Sequence, residues 1–129
     1  MNLPHFFSGR VRHGYQQGRI FGLPTANIHL ARHMPLDEGV YLGYTRISPD
    51  LITHPSLIFW GTPHALSDAI GPRMEVHLLN KEIDIYRKLL GVTILVLLRE
   101  NRKFVDEASL REAMAEDLRK AKEYFNMSV

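Results

Sequence analysis

The chain has 129 residues, 45% of them apolar and 23% charged, with a net charge of +2 and no cysteine. That length suits one domain with a real core, and the absence of cysteine excludes disulfides and thiolate chemistry. The small basic excess gives no bulk electrostatic reason to expect nucleic-acid binding. Met1 to His5 lacks a basic stretch followed by an apolar run, so no signal peptide is read there. The longest apolar run, Leu89 to Leu98, is about half of a membrane span. The expectation is a cytoplasmic protein of a single domain, residues 1–129, with no membrane or nucleic-acid partner.

In chain order, Phe6 to Val11 reads as a strand. Gly14, Gly18 and Gly22 follow at four-residue spacing, which suggests a loop or strands bending closely past something. Pro24 cannot sit in a central ladder, so Thr25 and Asn27 are expected at an edge, a bulge or a turn. Val40 to Ile47 and Leu57 to Trp60 read as strands, the second broken by Gly61-Thr62-Pro63. In Met74 to Leu79, Met74, Val76 and Leu78 take one face while Glu75 and His77 take the other. Val92 to Leu98 is the most apolar strand. No helical pattern precedes residue 105, so crossover helices are lacking and the sheet is expected to be antiparallel, closing wholly or partly into a barrel. At the end, Leu110, Ala113, Met114, Leu118, Ala121 and Phe125 form one helical stripe. Asp106 and Glu107 suit the helix N-terminus, and Glu116 with Lys120 makes a favourable i,i+4 pair.

Three groups of residues carry candidate chemistry. The segment Gly9 to Asn27 combines glycines, whose backbone N–H groups can approach phosphate, with Arg19 as a fixed positive charge. Thr25 and Asn27 offer hard oxygens suited to Mg²⁺. It is not a Walker A loop, and pattern alone leaves open a glycine-rich hairpin that only turns the chain. Glu75, in an apolar strand, suits a general base in a partly dry site or an ordinary outward carboxylate. His29 and His33 have metal-like spacing, but no third ligand is evident and prolines flank the stretch.

The order of the motifs resembles that of the riboflavin kinase (flavokinase) family. Gly9-x-Val11-x-x-Gly14, then Gly18-Arg19, then Gly22-x-Pro24-Thr25-Ala26-Asn27 follow its signature. Gly39-Val40-Tyr41, Met74-Glu75-Val76-His77-Leu78, Asp84-Ile85-Tyr86, Leu98-Arg99-Glu100 and Lys103-Phe104 appear in the family's order, as do Ser109-Leu110 and Asp117, and the likeness runs from about residue 6 to 125. It implies a six-stranded antiparallel Greek-key β-barrel with a C-terminal helix. The implied activity transfers the ATP γ-phosphate to the 5′-hydroxyl of riboflavin, giving FMN and ADP. Carried over by residue, Gly14 and Arg19 belong to the loop over the ATP phosphates, Thr25 and Asn27 hold Mg²⁺, and Glu75 is the catalytic base. Leu78, Asn80 and Tyr86 line the nucleotide side, and Arg99, Arg102 and Phe104 lie on the flap over the flavin.

The chain departs from the family at three places. Arg87 stands where the family has glycine after Asp-x-Tyr, and the expected turn there is rebuilt with φ < 0. Trp60-Gly61-Thr62-Pro63-His64 keeps only part of a loop that borders the flavin, and Asn101-Arg102 replaces an acidic neighbour of Lys103-Phe104. Many bacterial relatives also carry an N-terminal adenylyltransferase domain that makes FAD; this sequence starts just before the barrel, so the expectation is either a stand-alone kinase or a fragment of a bifunctional one. The competing readings are a catalytically weak flavin or FMN sensor of the same fold and an unrelated small barrel that binds nucleic acid or a protein partner.

Overall fold

The computed structural model describes residues 2–17, 24–29, 34–62, 72–81 and 87–128. Among these residues six strands, β1 (His5–Gln17), β2 (Pro24–His29), β3 (Gly39–Ile47), β4 (Thr53–Gly61), β5 (Arg73–Leu78) and β6 (Leu89–Glu100), precede one helix, α1 (Glu107–Tyr124). All pairings are antiparallel, and the strands close into a barrel in the order β1-β2-β5-β4-β3-β6. β3, β4 and β5 run consecutively and β6 returns beside β3, which is the Greek-key arrangement.

Alternation along the strands sorts side chains to the two faces. Met74, Val76 and Leu78 of β5 join Ile58 and Trp60 of β4 and Leu90, Val92 and Ile94 of β6 in the interior cluster. The 34–38 segment seals one end, with Met34 and Leu36 buried. There the polar ends of two large interior aromatics find backbone acceptors: Trp60 Nε1 donates to Leu36 O at 3.2 Å, and the Tyr41 hydroxyl donates to Asp37 O. Burial, with Asp37 nearby, pushes the Tyr41 hydroxyl up to about 12.

α1 covers the outside of β3, β4 and the end of β6. Met114 and Ala121 pack with Val40, Leu42, Leu57 and Phe59, flanked by Leu110 and Phe125. Asp106 caps the helix by accepting from the Ser109 N–H at 2.7 Å, a hydrogen bond that also holds the Asp106 carboxyl below its ordinary value.

Three sequence expectations change. Thr25 and Asn27 lie within β2, neither at an edge nor in a turn, because closure gives β2 a partner on both sides; of the expected settings the bulge alone is kept, as register shifts in the facing stretch of β1. Pro24, with no N–H to give, takes the first strand position, and the register shifts fall between Val11, His13 and Gln16 of β1. Glu116 makes its ion pair with Arg119 at i+3, Lys120 adding only a weaker charge attraction at i+4, and Arg119 also reaches Glu123 at 2.9 Å. Its guanidinium satisfies both carboxylates at once, which an ammonium cannot do in the same planar fork.

Arg87 is the third. Its φ is +66°, the left-handed conformation, not the expected φ < 0. Backbone bonds to β1 hold it there: Arg87 N–H donates to Val11 O at 3.1 Å and Val11 N–H to Lys88 O at 2.9 Å. The Arg10 guanidinium also donates to Arg87 O at 2.8 Å. A left-handed side-chain residue costs about 1–2 kcal/mol, and glycine would recover part of this after its own entropy loss. Arg87→Gly should therefore raise stability by about 1 kcal/mol and the melting temperature by about 4 °C. Thermal unfolding checks this, and a lower melting temperature would show that the arginine side chain is itself stabilising.

Candidate active site

Register places the candidate residues before any chemistry is considered. Asn27 of β2 pairs with Glu75 of β5, and Glu75 pairs with Phe59 of β4. All three therefore stand in one row on the outer face, the face that Leu57, Phe59 and the helix also occupy. Thr25, two residues before Asn27, shares it.

Glu75 points away from the interior yet is only 2% exposed, and Thr25 is 3% exposed. The Thr25 hydroxyl donates to Glu75 Oε1 at 2.9 Å. That bond orients the carboxylate and commits the hydroxyl proton, so the Thr25 oxygen presents only lone pairs to anything else. Asn27, half-buried beside it, adds an amide. A buried carboxylate next to two neutral oxygen donors can accept a proton and can share a hard cation with a substrate oxygen.

The other predicted residues are distributed more widely. Gly14 is in β1, inside the stretch where its register with β2 shifts. Leu78 packs in the barrel interior, on the opposite face of β5 from Glu75. Asn80 is exposed just after β5. Arg19 and Tyr86 lie outside the described residues, as do His33 and His64. Among the described residues no three His, Cys, Asp or Glu side chains are grouped to hold a metal.

Arg99 extends the same outer row. It pairs with Val40, which neighbours Phe59 across β3 and β4, so three strand spacings, on the order of 14 Å, separate it from Glu75. Its guanidinium grips Asp117 of α1: Nε lies 2.9 Å from both carboxylate oxygens and Nη2 2.8 Å from Oδ2. Asp117 is buried, and burial pushes its carboxyl up despite the pull of Arg99. Two guanidiniums approach the Phe104 ring, Arg99 Cζ at 5.4 Å and Arg102 Cζ at 4.7 Å from its centre. Arg99, Arg102 and Phe104 are thus one cluster where β6 passes into α1.

Sequence reasoning placed Asp117 only within a matching helix motif. Its spacing from Met114 and Ala121 carries the missed signal, since it puts a carboxylate on the buried stripe, where it requires a partner. It singled out Thr62 and Asn101 only as departures from the family and did not find Glu38, which they meet at the rim near the end of β4.

The family model for riboflavin kinase (Flavokinase) matches residues 1–125. The chain belongs to the riboflavin kinase family. It is 32% identical over 136 residues to the bifunctional riboflavin kinase/FMN adenylyltransferase of Buchnera aphidicola subsp. Schizaphis graminum, covering 96% of this chain and 40% of that protein. The chain therefore spans less than half the length of this relative. A solved structure from Streptococcus pneumoniae, described as a macrolide-efflux protein, matches with a TM-score of 0.72 at 28% identity, covering 92% of this chain and 38% of that one. Riboflavin kinase from Trypanosoma brucei matches with a TM-score of 0.66 at 19% identity over 94% of this chain and 76% of that one, a likeness of fold. The closed six-stranded barrel with its C-terminal helix is the fold expected from the sequence. Among the described residues no helix is long and apolar enough to cross a membrane.

The Arg99–Asp117 pair yields a stability test. Removing one partner of a buried pair strands the other, at a cost of about 3 kcal/mol, whereas replacing both with apolar groups is close to neutral. Asp117→Ala should lower the unfolding free energy by that amount in urea, and Arg99→Met with Asp117→Leu should recover most of it. A double variant as unstable as the single one would show that the charges themselves stabilise the helix.

Proposed function

We propose that this chain is a riboflavin kinase that transfers the ATP γ-phosphate to the riboflavin 5′-hydroxyl, giving FMN and ADP. The observation that carries this reading is the buried Glu75 carboxylate, oriented by Thr25 and flanked by Asn27 on the outer face of the barrel. A primary hydroxyl is a poor nucleophile, and a fixed carboxylate accepts its proton as the new P–O bond forms. The reaction otherwise depends on positioning and on neutralising phosphate charge. The donor set fits a divalent ion bound with substrate phosphates: Thr25 and Asn27 would hold Mg²⁺, which supplies charge neutralisation when bound. In this reading Gly14 and Arg19 approach the phosphates; Asn80 and Tyr86 serve the nucleotide side, while Leu78 contributes only interior packing; and Arg99, Arg102 and Phe104 serve the flavin side. Cytoplasmic ATP would be the donor. An FMN adenylyltransferase, separate or attached as in the bifunctional relatives, would consume the product.

The second reading is a flavin-binding relative that turns over slowly, favoured by the left-handed Arg87. Incubation with riboflavin and Mg-ATP separates the two: FMN formation supports the kinase, and riboflavin binding without FMN supports the sensor.

Glu75→Gln keeps the size of the side chain and removes the base. It should lower turnover by ~10²–10⁴ while leaving ATP binding nearly unchanged; FMN formation at the unsubstituted rate would remove Glu75 from the mechanism. Thr25→Ala and Asn27→Ala should weaken Mg-ADP binding more than riboflavin binding, as ligands to the ion would. Calorimetric titration with each compound separately is the measurement, and equal losses for both would argue against a metal role.

A further inference from the structure

At the rim of the barrel where β4 ends, three segments distant in sequence meet on one carboxylate. The Thr62 N–H donates to Glu38 Oε1 at 2.8 Å, and Asn101 Nδ2 donates to the same oxygen at 3.1 Å. Asn101 Nδ2 also donates to Thr62 O at 3.0 Å, and the Asn101 N–H donates to Glu38 O at 3.1 Å. Gly61 makes the close approach possible. It has a φ of +146°, and a Cβ there would stand 2.6 Å from Glu38 Oε1.

The chemistry of the pair is directional. Glu38 can only accept, and Asn101 supplies donors to both of its neighbours. A carboxylate at position 101, the acidic type usual in the family, would have no N–H to give and would face Glu38 across 3.1 Å. Glu38 is exposed, so these bonds add little to global stability. Their effect is to fix where the chain runs.

The segment they fix opens with Asn101 and runs to Asp106. Its far end is held by the Asp106 cap on α1, and between the two anchors lie Arg102 and Phe104, stacked together beside Arg99. A short irregular stretch tied at both ends holds its side chains in place. We infer that Glu38 is a positioning residue for flavin binding, acting through Asn101 to hold the stretch that carries Arg102 and Phe104. The inference rests on the kinase reading above, which puts those two residues on the flavin side.

The test is steady-state kinetics of FMN formation, varying riboflavin and ATP separately, with thermal unfolding alongside. Glu38→Ala should raise the KM for riboflavin about tenfold, the order expected when one or two hydrogen bonds' worth of ordering is lost. The KM for ATP and the melting temperature should stay close to those of the unsubstituted chain. Glu38→Gln should rescue, because its amide oxygen still accepts from Thr62 and Asn101. Asn101→Asp should behave like Glu38→Ala, and combining it with Glu38→Gln should restore part of the riboflavin affinity, since the new amide can donate to the new carboxylate while the bond from position 101 to Thr62 O stays lost. That pair also gives the answer if Glu38→Ala does not fold. Equal rises in both KM values, no change in either, or a Glu38→Gln variant as impaired as Glu38→Ala would overturn the positioning role. Failure of the unsubstituted chain to form FMN would instead overturn the kinase reading, and the inference with it.

Discussion

Register between β2, β5 and β4 is the constraint on which the site depends. Side chains alternate with a period of two, so a slip of one residue in β5 would turn Glu75 into the interior among Ile58, Trp60 and Val92 and expose Met74 and Val76. Closure fixes that register from both sides, because β5 is paired with β2 along one edge and β4 along the other. The interior apolar residues thereby do more than fill space: they hold a carboxylate, a hydroxyl and an amide in place on the outer face.

Those three groups stand beside the helix-covered part of the barrel. Phe59, itself packed with α1, stands between Glu75 and Val40, and the same row reaches Arg99 on β6. The Arg99–Asp117 contact ties the helix to that end of the row. A buried ion pair is weak evidence for stability, but it is demanding in geometry, so its main contribution here is to fix how α1 and the β6–α1 connection sit on the barrel.

Much of this was legible in the sequence. The alternation of Met74 to Leu78 gave the two faces of β5, and the stripe from Leu110 to Phe125 gave the buried side of α1. The ordered motifs pointed to the family. Alternation reports which face a residue takes but not what covers that face, so it left open an ordinary outward Glu75. Left-handed backbone at Arg87 was hidden because the bonds that hold it run to Val11, far away in the chain. Glu116 was matched with Lys120 by spacing, whereas the structure prefers the forked donor of Arg119. The meeting of Glu38, Thr62 and Asn101 depends on three chain segments converging at the rim, and no local pattern encodes that.

Closure also sets a timetable. His5 pairs with Ile94 and Arg10 with Leu89, so the seam between β1 and β6 joins residues near the start of the chain to residues around position 90. β6 is also the strand that flanks β3. Until β6 is available, β1 and β3 each lack a neighbour and present unpaired edges. Such non-local pairing pays its loop-closure entropy before any contact rewards it, which slows folding. The β3-β4-β5 meander, whose contacts are local, is the natural part to form first. During that interval the segment most exposed to wrong pairing is the apolar β6 itself, the strand that completes the barrel and is joined to the helix by residues 101–106.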